Sequence, residues 1–145
     1  QLGQRSGSGV VYLNVFHADI EDFLSAKKAN ADEKVRLATL STGVILPDIF
    51  FSLLQQDKEM ALFSPYDILN EYGKPMSQIS MTEMYYELLE NPNIRVIKRL
   101  NTRQLYTEMK KVQFESGYPF EMFDDNVNKV HALENVGRVS MSNLC

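Results

Sequence analysis

The run Met141-Ser142-Asn143-Leu144-Cys145 holds the residue types best suited to chemistry in this chain. Cys145 is the single cysteine, and the apolar alternation through Val139 and Met141 leads into it as a short strand would. Side chains alternate across a strand, so Asn143 and Cys145 point to the same face. An amide and a thiol presented side by side form an arrangement that a site could use. A lone cysteine is more often a small buried hydrophobe, so the thiol does not define a site by itself. At the other end, Gln1 to Gly9 reads as a glycine-rich loop that allows close backbone approach to a ligand. A plain turn before a strand has the same composition, and the spacing is not that of a Walker A loop.

These residues need elements to hold them. Val10 to Phe16 is a nearly continuous apolar, β-branched run, as expected of a strand buried on both faces. Asp19 then opens a helix with Ile20, Phe23 and Leu24 on one stripe and Lys27 and Lys28 in its last turn. Asn30 to Leu40 reads as a short helix or an irregular connection. Val44-Ile45-Leu46 is a second buried strand, followed by a helix capped by Asp48 and carrying Ile49, Phe50, Leu53 and Leu54. Met60 to Phe63 is a third strand. Ser64-Pro65 starts a helix that Gly73 ends.

Further on, Ser80 and Glu83 have capping-box spacing ahead of Met81, Met84, Tyr85, Leu88 and Leu89, and Asn91-Pro92 stops that helix. The methionine and aromatic stripe reads as core. Asn101 and Gln104 open another helix, with Leu105, Met109 and Val112 on one face and Gly117 beyond its end. Lys98, Arg99, Arg103, Lys110 and Lys111 form a mildly basic patch, read as a solvated face balanced by nearby acids. Tyr118 to Phe123 alternates as a strand, and Asp124 to Gly137 is a polar connection to the final strand. Strands alternating with helices predict an α/β fold with mainly parallel strands.

A composition that is 44% hydrophobic and 23% charged is that of one ordinary globular domain. A net charge of -4 argues against a nonspecific nucleic-acid binder. One cysteine excludes an internal disulfide framework and suits a reducing cytosol. The richest apolar run, Val44 to Leu54, is broken by Pro47 and Asp48 and is too short to span a bilayer. With no signal peptide at its start, the chain is expected to be cytoplasmic. His17 has no second candidate ligand nearby, so no metal site is assigned.

Ser142-Asn143-Leu144-Cys145, taken with the stretch Gln4-Arg5-Ser6-Gly7-Ser8-Gly9 and Val10 to His17 after it, resembles the large, catalytic subunit of class I ribonucleotide reductases, most closely class Ib. Asn30 to Arg36, Leu62-Phe63-Ser64-Pro65-Tyr66, Asn91-Pro92-Asn93-Ile94-Arg95 and Glu115-Ser116-Gly117-Tyr118-Pro119 follow in the family's order and spacing. The resemblance covers essentially the whole chain. It departs at Phe123, where the family reads Asn-x-Asp and this chain has Phe123-Asp124-Asp125; Asp125 and Asn128 keep their places.

The resemblance implies part of a ten-stranded α/β barrel, with the cysteine on a loop threaded into its centre. It implies that Cys145 becomes a thiyl radical that abstracts the ribose 3′ hydrogen, while Asn143 hydrogen-bonds the sugar hydroxyls. Ser142, Asn143, Leu144 and Cys145 would line the substrate, a ribonucleoside diphosphate. Gln1 and Arg5 match the loop between substrate base and allosteric effector. The implied partners are a small subunit whose dimetal-tyrosyl centre supplies the radical, a second large subunit, and a glutaredoxin- or thioredoxin-like thiol reductant. Deoxynucleotides and ATP are the implied effectors, and no cofactor is expected to bind this segment itself.

The family's glutamate two residues beyond the cysteine and its redox cysteine pair fall outside these residues. The chain is therefore expected to be an internal fragment, inactive alone. The alternative is a noncatalytic remnant or nucleotide-binding module of the same fold, from a truncated or intein-interrupted gene.

Overall fold

The computed structural model describes residues 9–27 and 41–129. Five strands and six α-helices are formed among them: β1 Val10–Asn14, α1 Ile20–Ser25, β2 Ser41–Ile45, α2 Asp48–Gln55, β3 Glu59–Phe63, α3 Pro65–Tyr72, α4 Met81–Glu90, β4 Val96–Asn101, α5 Thr102–Ser116, β5 Phe120–Met122 and α6 Asp124–Lys129. A single 3₁₀ turn, Met76–Gln78, lies between α3 and α4.

β1, β2 and β5 make a parallel sheet with β2 in the middle. Val10 pairs with Ser41 and Asn14 with Ile45, while Gly43 pairs with Phe120 and Ile45 with Met122. The second sheet departs from the expected parallel arrangement, because β3 and β4 pair antiparallel, with an irregularity at Leu62 and Phe63. The sheets are joined end to end. The Phe63 amide donates to the Phe16 carbonyl at 2.9 Å, and the Ala18 amide donates to the Phe63 carbonyl at 2.9 Å.

One face of the parallel sheet meets the core near its carboxyl end, while Val11 on the same face is exposed. Leu13 and Val44 share that face and pack into a core with Phe16, Phe50, Phe63 and Tyr85. Phe16 and Tyr85 have ring centroids 5.1 Å apart, and Phe63 meets Tyr85 edge-on at 5.9 Å. Each such side chain contributes roughly 1.5–3 kcal/mol when fully buried. The Tyr85 hydroxyl accepts from the Ala61 amide at 3.0 Å, so the phenol buried among these rings is satisfied and ties α4 to β3.

Local signals set most helix ends. The Ser80 hydroxyl accepts from the Glu83 amide at 3.3 Å, and Asn101 Oδ1 accepts from the Gln104 amide at 2.9 Å. Gly73 and Gly117 close α3 and α5 with φ of 70° and 80°, a region costly for residues that carry a Cβ.

Other expectations are corrected. Asp48 is not the cap of α2: Pro47 occupies that position in an extended conformation, and Asp48 is the first helical residue. The Leu46 amide is committed to the Met122 carbonyl at 2.8 Å, which keeps the chain extended until Pro47 turns it. Asp19 sits before α1 without a side-chain cap bond, and α1 ends at Ser25, short of Lys27. β1 stops at Asn14, because Val15 and Phe16 already form a turn. Val96–Asn101 is a strand where none was expected, and Asp124–Lys129 is a helix within the stretch read as a connection. Asn30 to Leu40 lies outside the described residues.

Candidate functional site

Gln1, Arg5, Ser142, Asn143, Leu144 and Cys145 all lie outside the described residues. The described residues supply the frame to which the first of these segments attaches. The glycine-rich stretch enters the sheet through Gly9, whose carbonyl accepts from the Ser41 amide at 3.1 Å, placing its exit at the head of β1 and β2.

Opposite the face that carries Leu13 and Val44, the parallel sheet presents two cross-strand rows. Paired residues of adjacent strands share a face, so Tyr12, Gly43 and Phe120 form one row and Asn14, Ile45 and Met122 the other. Tyr12 crosses over Gly43 so closely that a Cβ there would lie 2.3 Å from its Cε1. Only glycine leaves room for the ring. Phe120 is partly exposed and meets Tyr118 edge-on, centroids 5.2 Å apart.

A cleft of about 280 Å³ runs along β1 from Val10 to His17, past the carboxyl end of the strand, and is lined by Tyr12, Asn14, His17, Ile45, Met76 and Ser77, among others. Asn14 Oδ1 accepts from the Phe16 amide at 3.0 Å, which fixes the amide at the turn ending β1. His17 Nδ1 accepts from the Asp19 amide at 2.9 Å, so the neutral ring carries its proton on Nε2. Burial lowers its pKa from the ordinary 6.5, only partly opposed by the Asp19 charge, and the ring is neutral at pH 7. Amide, hydroxyl and imidazole groups around an apolar floor suit hydrogen bonding to a polar organic ligand. Among the described residues no group of three or more His, Cys, Asp or Glu is placed to hold a metal ion.

Two clusters were not visible in the sequence. At the start of α2, Asp125 Oδ2 accepts from the Asp48 amide at 2.7 Å and from the Thr82 hydroxyl, while Thr82 Oγ1 accepts from the Ile49 amide at 3.2 Å. Residues from α4 and α6 thus satisfy backbone donors at the N-terminus of α2. Phe123 packs its ring against Phe51 with centroids 5.9 Å apart. At the other end of β5, beside the first residue of β2, Lys27 is 7% exposed and lies over the Tyr118 ring, 4.8 Å from its centroid. Tyr118 also accepts from Ser41 Oγ at 3.2 Å. No spacing rule announces such pairs, because their members lie on separate elements.

The basic patch is a surface feature, as expected. Lys98 pairs with Glu21, Arg103 with Asp57 and Lys110 with Glu121. Among the described residues, no helix is long and apolar enough to cross a membrane.

The family model described as "Ribonucleotide reductase, barrel domain" matches residues 1–145. The chain is 53% identical over 145 residues to the ribonucleoside-diphosphate reductase subunit alpha of Mycoplasma pneumoniae, covering all of this chain and 20% of that protein. It is 51% identical over its whole length to the NrdEB subunit alpha of Bacillus subtilis, covering 13% of the relative. With the subunit alpha of Chlamydia muridarum it shares 36% identity over 148 aligned residues, 14% of the relative. The chain therefore spans a fifth or less of the length of these curated relatives.

Proposed function

This chain belongs to the ribonucleotide reductase barrel-domain family and forms part of its α/β barrel, and on that premise we propose that it is a segment of a ribonucleoside-diphosphate reductase catalytic subunit of the class Ib type. The observation that carries the reading is similarity along the entire chain, 53% identity across all 145 residues, to a protein named as the alpha subunit of that enzyme.

Removing an unactivated ribose 2′-hydroxyl is beyond ordinary acid–base catalysis, and the reaction is run as radical chemistry. Cys145 is the residue that meets the substrate. As a thiyl it takes the 3′ hydrogen atom of the ribose, which leaves the substrate as a carbon radical and restores the thiol. The 2′-hydroxyl takes up a proton and departs as water, a dithiol reductant of the glutaredoxin or thioredoxin kind supplies two electrons and two protons as it becomes a disulfide, and Cys145 returns the hydrogen atom to C3′, which regenerates its thiyl. Asn143, two residues before it in sequence, holds the sugar hydroxyls so that the 3′ hydrogen faces the sulfur. Ser142 and Leu144 complete the substrate-lining segment. A separate radical-generating small subunit supplies the oxidising equivalent that Cys145 needs.

Gln1 and Arg5 read the substrate base on one side of their loop and respond on the other to a bound deoxynucleotide or ATP, in a homodimer of catalytic subunits. The described sheet supports this arrangement in two ways. Its face bearing Tyr12, Asn14 and Phe120 stands opposite the packed core, and the loop's exit is anchored at the head of β1.

The test is a complete polypeptide carrying this segment, assayed with a class Ib small subunit and a dithiol for conversion of ribonucleoside diphosphates to 2′-deoxy products. Formation of deoxynucleotide that requires all three components is the expected result. Absence of product from a folded, diphosphate-binding polypeptide would overturn the reading.

A further inference from the structure

The stretch Glu115-Ser116-Gly117-Tyr118-Pro119 has a construction that the proposed chemistry leaves unexplained. α5 ends in the left-handed Gly117, and the following residues are fixed from behind by α5 itself. Ser116 Oγ accepts from the Tyr118 amide at 3.1 Å, and Gln113 Nε2 donates to the Pro119 carbonyl at 2.9 Å. The Tyr118 backbone is thereby held before β5 begins.

Its side chain reaches away from α5 to two other segments. The hydroxyl accepts from Ser41 Oγ, and the ring face receives the Lys27 ammonium. Ser41 is also the residue whose amide holds the Gly9 carbonyl. One tyrosine thus bears on Ser41, and through Ser41 on the residue at which the glycine-rich loop joins β1. A lysine that is 7% exposed and a hydroxyl pair are costlier to place at a strand head than apolar contacts would be, which points to a need for a fixed geometry there.

We propose that Tyr118 is a positioning residue for the loop carrying Gln1 and Arg5, acting through its hydrogen bond with Ser41 on the Gly9 junction, and that it sets how strongly effector identity governs substrate choice. This rests on the reading of the chain as a reductase segment. Tyr118 touches neither substrate nor effector in this account. Its contribution is to keep the loop's exit in one place, so that an effector on one side biases base selection on the other, a coupling free energy in the sense of allostery.

The experiment uses the complete catalytic subunit with its small subunit, measuring the ratio of pyrimidine to purine diphosphate reduction with each deoxynucleotide effector in turn. Tyr118→Phe keeps the ring beneath Lys27 and removes the acceptor for Ser41; Ser41→Ala removes the same bond from the other side. Each should weaken the effector dependence of the ratio by about two- to tenfold, the scale of one neutral hydrogen bond. The double variant should do no more than either single one. Thermal midpoints and the KM for a single substrate without effector should stay near the parent values. Arg5→Ala, which alters the loop itself, serves as the reference for a flattened response.

Parent-like ratios in both Tyr118→Phe and Ser41→Ala would overturn the proposal while leaving the function intact. So would additive effects of the two. A parent enzyme that reduces no diphosphate would instead overturn the functional reading, and this inference with it.

Discussion

Tyr12 lies across Gly43 on the neighbouring strand, its ring filling the volume in which any other residue would carry a Cβ. A cross-strand aromatic over a glycine replaces the packing that the glycine lacks. It also fixes Tyr12 on the face of the sheet opposite the core.

Gly43→Ala should therefore destabilise the protein by about 1–3 kcal/mol, the usual cost of overpacking. Tyr12→Ala in the same background should relieve the clash, making the two changes strongly non-additive. Thermal midpoints of the four species in the cycle check this. Additive losses would mean that the ring and the glycine do not constrain one another.

Asp67 and Arg95 bring together two of the sequence motifs on which the family resemblance rests or which it adjoins. The Asp67 carboxylate accepts from Arg95 Nε at 3.0 Å, from its terminal nitrogen at 3.1 Å and from its backbone amide at 3.1 Å. The Arg95 side-chain hydrogen bonds hold the Asp67 carboxyl below its ordinary 3.8. A depressed carboxyl pKa gives stability that is present above the unfolded value and lost as pH falls through the folded one. Arg95→Met should lower the thermal midpoint at neutral pH and reduce its fall with pH below about 4. Parallel pH curves for parent and variant would remove this pair from the acid response.

Asp125 caps α2 from a distance of 77 residues in sequence. Asp125→Ala strips acceptors from the Asp48 amide and the Thr82 hydroxyl and should cost about 1–2 kcal/mol, the range for loss of a cap. Asp125→Asn keeps an acceptor but loses the negative charge near the helix N-terminus, and should cost less. Equal losses in the two variants would assign the whole effect to charge.

These contacts also mark how far the sequence could be read. Capping signals work within four residues, and the structure places the starts of α4 and α5 at Ser80 and Asn101 and the ends of α3 and α5 at Gly73 and Gly117, as expected from spacing. β4 was illegible because Ile97, Lys98 and Arg99 are all exposed, leaving no alternation between wet and dry faces. α6 carries Asp124, Asp125, Asn126 and Asn128, a composition that reads as a turn, and only its seating against the start of α2 reveals the role of Asp125. The antiparallel β3–β4 pair hid behind the helix-strand alternation, since α3 and α4 intervene between its strands. For the site, residue types and face alternation set Asn143 and Cys145 side by side as an expectation, and both lie outside the described residues. Their roles came from resemblance, because the chemistry of a thiol depends on surroundings that spacing does not specify.

In the proposed mechanism, Asn143→Ala in the complete enzyme would remove hydrogen bonds to the sugar without touching the thiol. Turnover should fall by roughly ten- to a hundredfold or more, the scale at which slight misplacement of reacting atoms is felt. Turnover near the parent value would show that this amide does not position the ribose.

The most direct measurement is nucleotide reduction by Cys145→Ser in the complete catalytic subunit, supplied with its small subunit and a dithiol. An O–H bond is stronger than an S–H bond, so an oxygen radical is out of reach at this position. Deoxynucleotide formation should be abolished while the affinity for the ribonucleoside diphosphate changes little. Turnover close to that of the parent would contradict this and remove Cys145 from the mechanism.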